Sequence, residues 1–359
     1  MTRALVTGAS GFIGARLAEH LVVDEGMAVR VALRRFRGAA QVARLPVEIA
    51  PIGGGEIDAL RQATAGCQYV FHCAHDWADP DANLRLAERL LNACAESGVK
   101  SLVYLSSLAA YAPFHDKVVT EESAWLDTSW PYALNKRRVT ALLLGAGERA
   151  GIEVTVLEPP CVYGPFSTSF AIVPVAQLRA GRVAVAPDDA ATCNLLYIDD
   201  LVRAMSAAAA SPATAGKRFL LNGPETTSWR DFYCRLAAEI GTGTVITLER
   251  TEVERMIAAA SSPGEALRRA WHDPHWIFSS AALAPLRKHA RRLVGQRAWQ
   301  RSKRTIRSRL VLPGDDIDFR WAPMAASSQK AASMFGFAPS VGLDKGIAAT
   351  GAFVRWARL

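Results

Sequence analysis

Tyr132 and Lys136 stand four residues apart in Tyr132-Ala133-Leu134-Asn135-Lys136, at the start of a long helical pattern. Residues at that spacing share a helix face, so the phenol and the ammonium project together. Free tyrosine titrates near about 10, and a neighbouring cation stabilises the phenolate and brings it toward neutrality. Such a pair can take the proton of an alcohol as hydride leaves its carbon, or return it during reduction. Upstream, Leu102-Val103-Tyr104-Leu105-Ser106-Ser107 reads as an apolar strand ending in two hydroxyls. A serine at that end can hydrogen-bond the substrate oxygen and hold it against Tyr132.

A second motif offers a place for the electron carrier. Thr7-Gly8-Ala9-Ser10-Gly11-Phe12-Ile13-Gly14 follows an expected first strand and opens a helix. Gly8 suits a tight turn, Gly11 leaves room for a pyrophosphate, and Gly14 allows close packing of helix on strand. Backbone N–H groups from Ser10 to Gly14 then face the phosphates, favoured by the helix dipole. The second strand ends at Leu33 and is followed by Arg34 and Arg35. An acid there would meet the ribose hydroxyl of NAD, whereas arginine pairs with the 2'-phosphate of NADP. NADP is therefore the favoured cofactor, with NAD as the alternative.

The elements that must position these groups alternate along the first half of the chain. Strand patterns at 3–7, 28–33, 69–73, 101–106 and 153–157 are separated by helical patterns at 13–23, 84–97 and 132–150. That alternation indicates an α/β fold, a Rossmann-like doubly wound parallel sheet covered on both faces by helices. Pro159 and Pro160 stop the last of these strands. The expected organisation is an NAD(P)-binding domain over 1–160 and a smaller substrate-binding region over 161–359. Within the latter, a helix begins at Ser228 and ends at Gly241, and a basic helical insertion runs near 250–325.

Composition narrows the rest. The chain has 359 residues, half of them hydrophobic, enough for a large core. Its six cysteines are scattered without CxxC spacing or metal-like clusters, which suits free thiols in a reducing compartment and no metal site. The start of the chain lacks the pattern of a secretory leader, and no apolar run reaches the roughly 20 residues of a membrane span. A cytoplasmic protein is expected. The net charge of +8 is local: ten Lys or Arg and no acid lie between Arg287 and Arg309. A solvated helical face, a lid over a phosphorylated substrate and peripheral contact of 287–309 with an anionic membrane all fit that stretch. A nucleic-acid partner finds no motif.

Taken together, TGASGFIG at 7–14, VFHCA at 70–74, YLSSLAAY at 104–111, YALNK at 132–136, EPPCVYGP at 158–165 and NLLYIDDL at 194–201 resemble the extended short-chain dehydrogenase/reductases of the NAD-dependent epimerase/dehydratase family. MFGFAPSVGLDKGI at 334–347 resembles the family's ending. The resemblance implies that Ser107, four residues before Tyr111, is the catalytic serine and Ser106 its neighbour. It implies that Lys136 meets the nicotinamide ribose as well as tuning Tyr132. It also places Ala74 on the cofactor and the segment from Pro159 to Val162 beside the nicotinamide.

Several positions depart from the sugar-nucleotide members. Gly53-Gly54-Gly55-Glu56 stands where the family shows Gly-Asp, leaving the adenine contact in question. Leu108 and Ala109 replace the acid-bearing pair of dehydratases, which disfavours dehydration. Cys193 stands where an arginine would clamp a diphosphate, with Arg179 and Arg182 as candidate substitutes. Tyr163, Asn194 and Tyr197 could face substrate or belong to the core. The expected activity is reversible hydride transfer at a secondary alcohol or ketone, leading to epimerisation or net reduction. A sugar or sugar nucleotide is the leading small-molecule substrate. The alternatives are reduction of a steroid-like or flavonoid-like ketone and non-catalytic dinucleotide sensing; a homodimer is left open.

Overall fold

The computed structural model describes residues 2–260, 309–311 and 317–359. Seven parallel strands form the central sheet: β1 (Arg3–Thr7), β2 (Ala28–Leu33), β3 (Glu48–Pro51), β4 (Tyr69–His72), β5 (Ser101–Leu105), β7 (Glu153–Glu158) and β11 (Lys217–Leu220). Their order is β3-β2-β1-β4-β5-β7-β11. The doubly wound parallel sheet expected from the alternating pattern is thus present. Winding reverses between β1 and β4, and such a switch point opens a crevice at the carboxyl ends of the strands.

Successive strand residues feed opposite faces, as the two-residue repeat of a strand requires. Ala4, Val6, Val103 and Leu105 join one core, which also holds Leu17 of α1 (Phe12–Val23) and Leu201 of α6 (Ile198–Ala210). Leu5, Leu102 and Tyr104 join the other, with Leu60 of α2 (Ile57–Thr64), Leu90 of α3 (Pro80–Glu96) and Leu143 of α4 (Pro131–Ala150). Helices therefore cover both faces. α3 starts on Asp79, whose side chain accepts from the N–H groups of Asp81 and Ala82, with Pro80 in the first turn. α4 ends on Gly151 in the left-handed region at φ 68°.

The substrate region is built from smaller pieces. β8 (Cys161–Tyr163) pairs with β10 (Leu195–Tyr197). β9 (Gly181–Val185) follows α5 (Val173–Ala180) and is flanked by β12 (Thr244–Thr247) and β13 (Arg309–Val311). α7 (Trp229–Ile240) is capped by Ser228 and closed by Gly241, the bounds read from sequence. Shorter pieces complete the chain: β6 (Val118–Val119), α8 (Arg250–Ala260), α9 (Ile317–Arg320), β14 (Ala325–Ala326), α10 (Gln329–Phe335) and α11 (Leu343–Trp356).

The expected boundary at residue 160 does not separate the two regions in space. β11 lies beyond it yet pairs with β7, and α6 packs its apolar face on the sheet. Phe219 and Leu220 are fully buried, so β11 shields an edge of β7 that would otherwise be open. Of the basic stretch, Arg309 begins β13; 287–308 and its expected lid, membrane or solvated role lie outside the described residues.

At the switch point Gly8 has φ +73°, and a Cβ there would stand 2.7 Å from the Ala74 nitrogen and from the Cys73 carbonyl carbon. Both neighbours are backbone and cannot rotate away. Gly8→Ala is expected to destabilise the protein by roughly 2–3 kcal/mol, read as a lower urea midpoint at unchanged slope.

Candidate active site

The glycine loop turns at Gly8 and enters α1 with no side-chain cap on Gly11. The first N–H groups of α1 are thus left for an anion. A Cβ on Gly14 would lie 2.5 Å from the Gly8 oxygen, so the helix rests directly on the turn. Thr7 Oγ1 lies 2.9 Å from His72 Nδ1 and accepts from the Ala74 N–H at 3.3 Å, joining the ends of β1 and β4. Burial, with help from the Lys136 charge, pushes His72 down to about 3, so its imidazole is neutral.

A cleft of about 1420 Å³ runs from this loop over the carboxyl ends of the strands. That is more than the roughly 300–1,000 Å³ of an ordinary small-molecule pocket. Gly8, Ser10, Gly11, Phe12, Ile13, Gly14, Arg34, Arg35 and Ala74 line one part; Ser106, Ser107, Tyr132, Lys136, Pro159 and Val162 line another. All the residues expected on the cofactor therefore border one space, and its glycine cradle, open helix N-terminus and length fit a dinucleotide. Arg34 is engaged: its Nη1 donates to Asp76 Oδ2 at 2.5 Å.

Ser107, Tyr132 and Lys136 meet in the same cleft. Ser107 follows β5, accepts the Ala109 N–H at 3.1 Å and hydrogen-bonds Tyr132. Burial pushes Tyr132 up to about 12, and the Ser107 bond opposes that rise. Lys136 is buried and donates from Nζ to the Leu105 carbonyl at 2.8 Å. Its Nζ stands 5.7 Å from the Tyr132 ring centroid and 5.1 Å from that of Tyr104. Burial pushes its ammonium from 10.5 down to about 7. Ser106 turns elsewhere, onto Thr140 Oγ1 at 3.1 Å in the interior. Asn135 donates from Nδ2 to the Pro80 carbonyl at 2.7 Å, fixing α4 on the start of α3.

The departures from the family pattern also have places. Glu56 folds back on its own loop, Oε1 accepting the Gly54 N–H at 3.2 Å, while Ile52, Gly53 and Gly54 line the cleft. Cys193 is fully buried and bridges to Thr227 through backbone. Arg179 and Arg182 are exposed and do not line the cleft. Tyr163, Asn194 and Tyr197 are buried; Asn194 Oδ1 accepts the Ala326 N–H at 2.8 Å, and its Nδ2 donates to the Met324 carbonyl at 2.9 Å. These three serve the core.

Sequence reasoning missed His75, Asp76, Trp77, Trp130, Phe319 and Arg320, all of which line the cleft. Trp77 stacks on Tyr132 with centroids 4.9 Å apart and planes 15° apart, and His75 meets Tyr132 edge-on at 5.2 Å. Arg320 Nη1 donates to the Tyr233 hydroxyl at 2.9 Å, and its guanidinium lies 4.8 Å from the Trp229 ring centroid. The aromatic pair His75 and Trp77, just before the Asp79-Pro80 helix start, was the available signal. Phe319 and Arg320 arrive from far along the chain. Among the described residues no metal-ligating cluster occurs, and no helix is long and apolar enough to cross a membrane.

Fold and cleft define an NAD(P)-dependent enzyme of the extended short-chain dehydrogenase/reductase type. The model of the NAD dependent epimerase/dehydratase family matches residues 4–222, and the chain belongs to that family. A 2-alkyl-3-oxoalkanoate reductase of Stenotrophomonas maltophilia is 28% identical over 256 residues, covering 67% of this chain and 76% of that protein. The UDP-glucose 4-epimerase of Thermotoga maritima, solved with UDP-glucose, superposes with a TM-score of 0.71 at 19% identity, covering 100% of each chain. The UDP-glucuronic acid 4-epimerase of Bacillus cereus, solved with NAD, does so at 0.67 and 18% identity, covering 99% of this chain and 97% of its own. At those identities the two structures share the fold.

The depressed Lys136 has a consequence for stability. Between about pH 7 and 10.5 the unfolded chain keeps this ammonium protonated while the folded chain does not. The unfolded state binds the extra proton, so this residue's contribution to stability rises with pH through that window. The melting temperature of wild type should therefore climb relative to that of Lys136→Met from about pH 7 to pH 10. Parallel curves would mean that the ammonium is not desolvated.

Proposed function

We propose that the protein is an NADP-linked reductase that converts a ketone to a secondary alcohol. The observation that carries this reading is the convergence of Ser107, Tyr132 and Lys136 in the cleft that the glycine loop, Arg34 and Arg35 also line. When bound, NADPH supplies the hydride that adds to the carbonyl carbon. Tyr132 gives its phenolic proton to the carbonyl oxygen, and Ser107 positions that oxygen by hydrogen bond. Burial keeps Tyr132 protonated at neutral pH, which suits an acid in the reductive direction. Lys136 holds the Leu105 carbonyl at the end of β5, which keeps α4 and Tyr132 in register with Ser107.

Arg34 and Arg35 support NADP over NAD, with the 2'-phosphate competing against Asp76 for the Arg34 guanidinium. A substrate without a diphosphate is supported by the buried Cys193 and by the positions of Arg179 and Arg182 outside the cleft. Arg320, held by the Tyr233 hydroxyl and over the Trp229 ring, also lines the cleft, where a substrate carboxylate would compete with its present partners. The name of the Stenotrophomonas relative describes such a molecule, a ketone that is also an acid. A second reading is epimerisation of a sugar or sugar nucleotide, favoured by the exposed hydroxyls of Thr168 and Ser169 in the same wall.

NADPH oxidation should accompany ketone consumption one for one, and Tyr132→Phe should lower turnover by about 10²–10⁴-fold. Wild type as inert as the variant across ketones and UDP-sugars would refute catalysis. Interconversion of UDP-sugars without net NADPH oxidation would favour epimerisation. The double variant Arg34→Ala, Arg35→Ala should bind NADP about tenfold more weakly with NAD affinity unchanged. Equal binding of both cofactors by wild type, unaltered in the variant, would remove the NADP preference.

A further inference from the structure

Beside Tyr132 a second cavity of about 620 Å³ opens beyond the cofactor cleft, with Trp77, His75, Trp130, Tyr132 and Phe319 in the walls of both. The aromatic walls brace one another. Trp77 lies flat on Tyr132, His75 stands edge-on to Trp77 at 4.7 Å, and Trp130 is tilted against Tyr132 at 5.7 Å. Yet Trp77 is 76% exposed. Its indole turns one face to the site's own tyrosine and leaves the other to the surroundings, an arrangement that burial of a core does not explain.

The loop that carries Trp77 is held in place. Asp76 Oδ1 accepts the N–H groups of Ala78 at 2.9 Å and Asp79 at 3.3 Å. Asn83 takes both backbone groups of Asp76, its Oδ1 accepting the N–H at 2.7 Å and its Nδ2 donating to the carbonyl at 2.9 Å. Charge completes the picture. Among the described residues, the cavity wall contains Asp76 and Asp127 and neither Lys nor Arg. Backbone bonds and the Arg34 pair hold the Asp76 carboxyl below its ordinary range, so it is ionised. Burial, then the Lys136 charge, pushes His75 down to about 4, so it adds no cation at neutral pH. The wall is thus an aromatic and proline face beside neutral polar side chains, and its two carboxylates each stand near an arginine, Asp76 paired with Arg34 and Asp127 near Arg137; the lining suits an uncharged group better than a phosphate.

We propose that this cavity is the subsite for an uncharged hydrophobic substituent, aryl or long alkyl, on the carbonyl carbon of the substrate, and that Trp77 is the residue that selects it. The proposal rests on ketone reduction at Tyr132 and names which ketones are taken. Among the described residues, the lining at this end of the site offers a nucleoside diphosphate no lysine or arginine to pair with.

The test is a set of ketones differing only in that substituent: butanone, a long-chain methyl ketone, benzylacetone, and benzylacetone carrying a phosphate on its ring. Wild type should show kcat/KM at least about tenfold higher for benzylacetone and the long-chain ketone than for butanone, and the phosphorylated compound should fall below benzylacetone by a similar factor. Trp77→Ala should lower the ratio of benzylacetone to butanone by about tenfold, chiefly through KM, the scale of one lost aromatic contact, and Trp77→Phe should restore most of it. Equal or better use of the phosphorylated compound would overturn the subsite. So would a Trp77→Ala variant that lowers all four ketones by the same factor, since that is the mark of a residue that merely supports Tyr132. Turnover of butanone without hydrophobic preference sinks the subsite and leaves the reductase standing. No ketone-dependent NADPH oxidation by wild type sinks both.

Discussion

A lysine ammonium taken out of water beside the carboxyl end of β5 is the constraint on which the site depends. Burying a cation is unfavourable, and the bond from Lys136 to the Leu105 carbonyl at 2.8 Å offsets that cost only in part, since burial still pushes the ammonium down to about 7. The bond fixes how deep α4 sits and which of its faces turns to the sheet. Tyr132, one turn earlier on that helix, is thereby delivered beside the serine that ends the strand. Asn135, between them in sequence, locks the same helix to the first turn of α3 through the Pro80 carbonyl. Three neighbouring strand and helix ends are thus tied together by side-chain bonds.

Those parts were legible because each rests on local chemistry. The sheet follows from alternating apolar runs and helical patterns. The tight glycine turn follows from glycines that a backbone contact demands, shown by the 2.7 Å and 2.5 Å clashes that side chains at positions 8 and 14 would make. The choice of Ser107 over Ser106 came from resemblance, and the geometry gives its physical side: Ser107 meets Tyr132 while Ser106 is turned into the interior against Thr140. What was not legible depends on distant residues. Arg34 reads as a waiting phosphate ligand, and only the folded chain shows Asp76, 42 residues on, holding it. Phe319 and Arg320 reach the cleft from beyond the segment whose sequence is dominated by basic residues, where no spacing rule predicts the return.

The boundary expected at residue 160 missed for a related reason. Two prolines end a strand reliably, but a strand's end does not tell which edge of the sheet remains uncovered. β7 still offered an open edge, and β11 fills it from more than 50 residues later. The mostly apolar run at 219–222 reads as a short element of the appended region, yet its pairing with β7 is a contact that no local pattern specifies.

That added strand reaches the chemistry through a buried polar cluster. Glu158 at the end of β7 is completely buried, and Tyr111 donates to its Oε2 at 2.7 Å. Arg218 of β11 donates to the Tyr111 hydroxyl at 3.1 Å and to the Glu121 carbonyl at 2.6 Å, with its Nη1 3.7 Å from Glu158 Oε1. Burial pushes Glu158 up to about 7, with the Arg218 charge and the Tyr111 bond opposing the rise. Tyr111 closes the short turn from Leu108 to Tyr111 whose first N–H groups lie over Ser107. The position of Ser107 is therefore set from both sides: by Lys136 and Tyr132 on α4, and by Arg218 from the edge strand β11. The residues that hold Ser107 and the strand that completes the sheet are therefore linked through one buried cluster, and both lie within the 4–222 span of the family match.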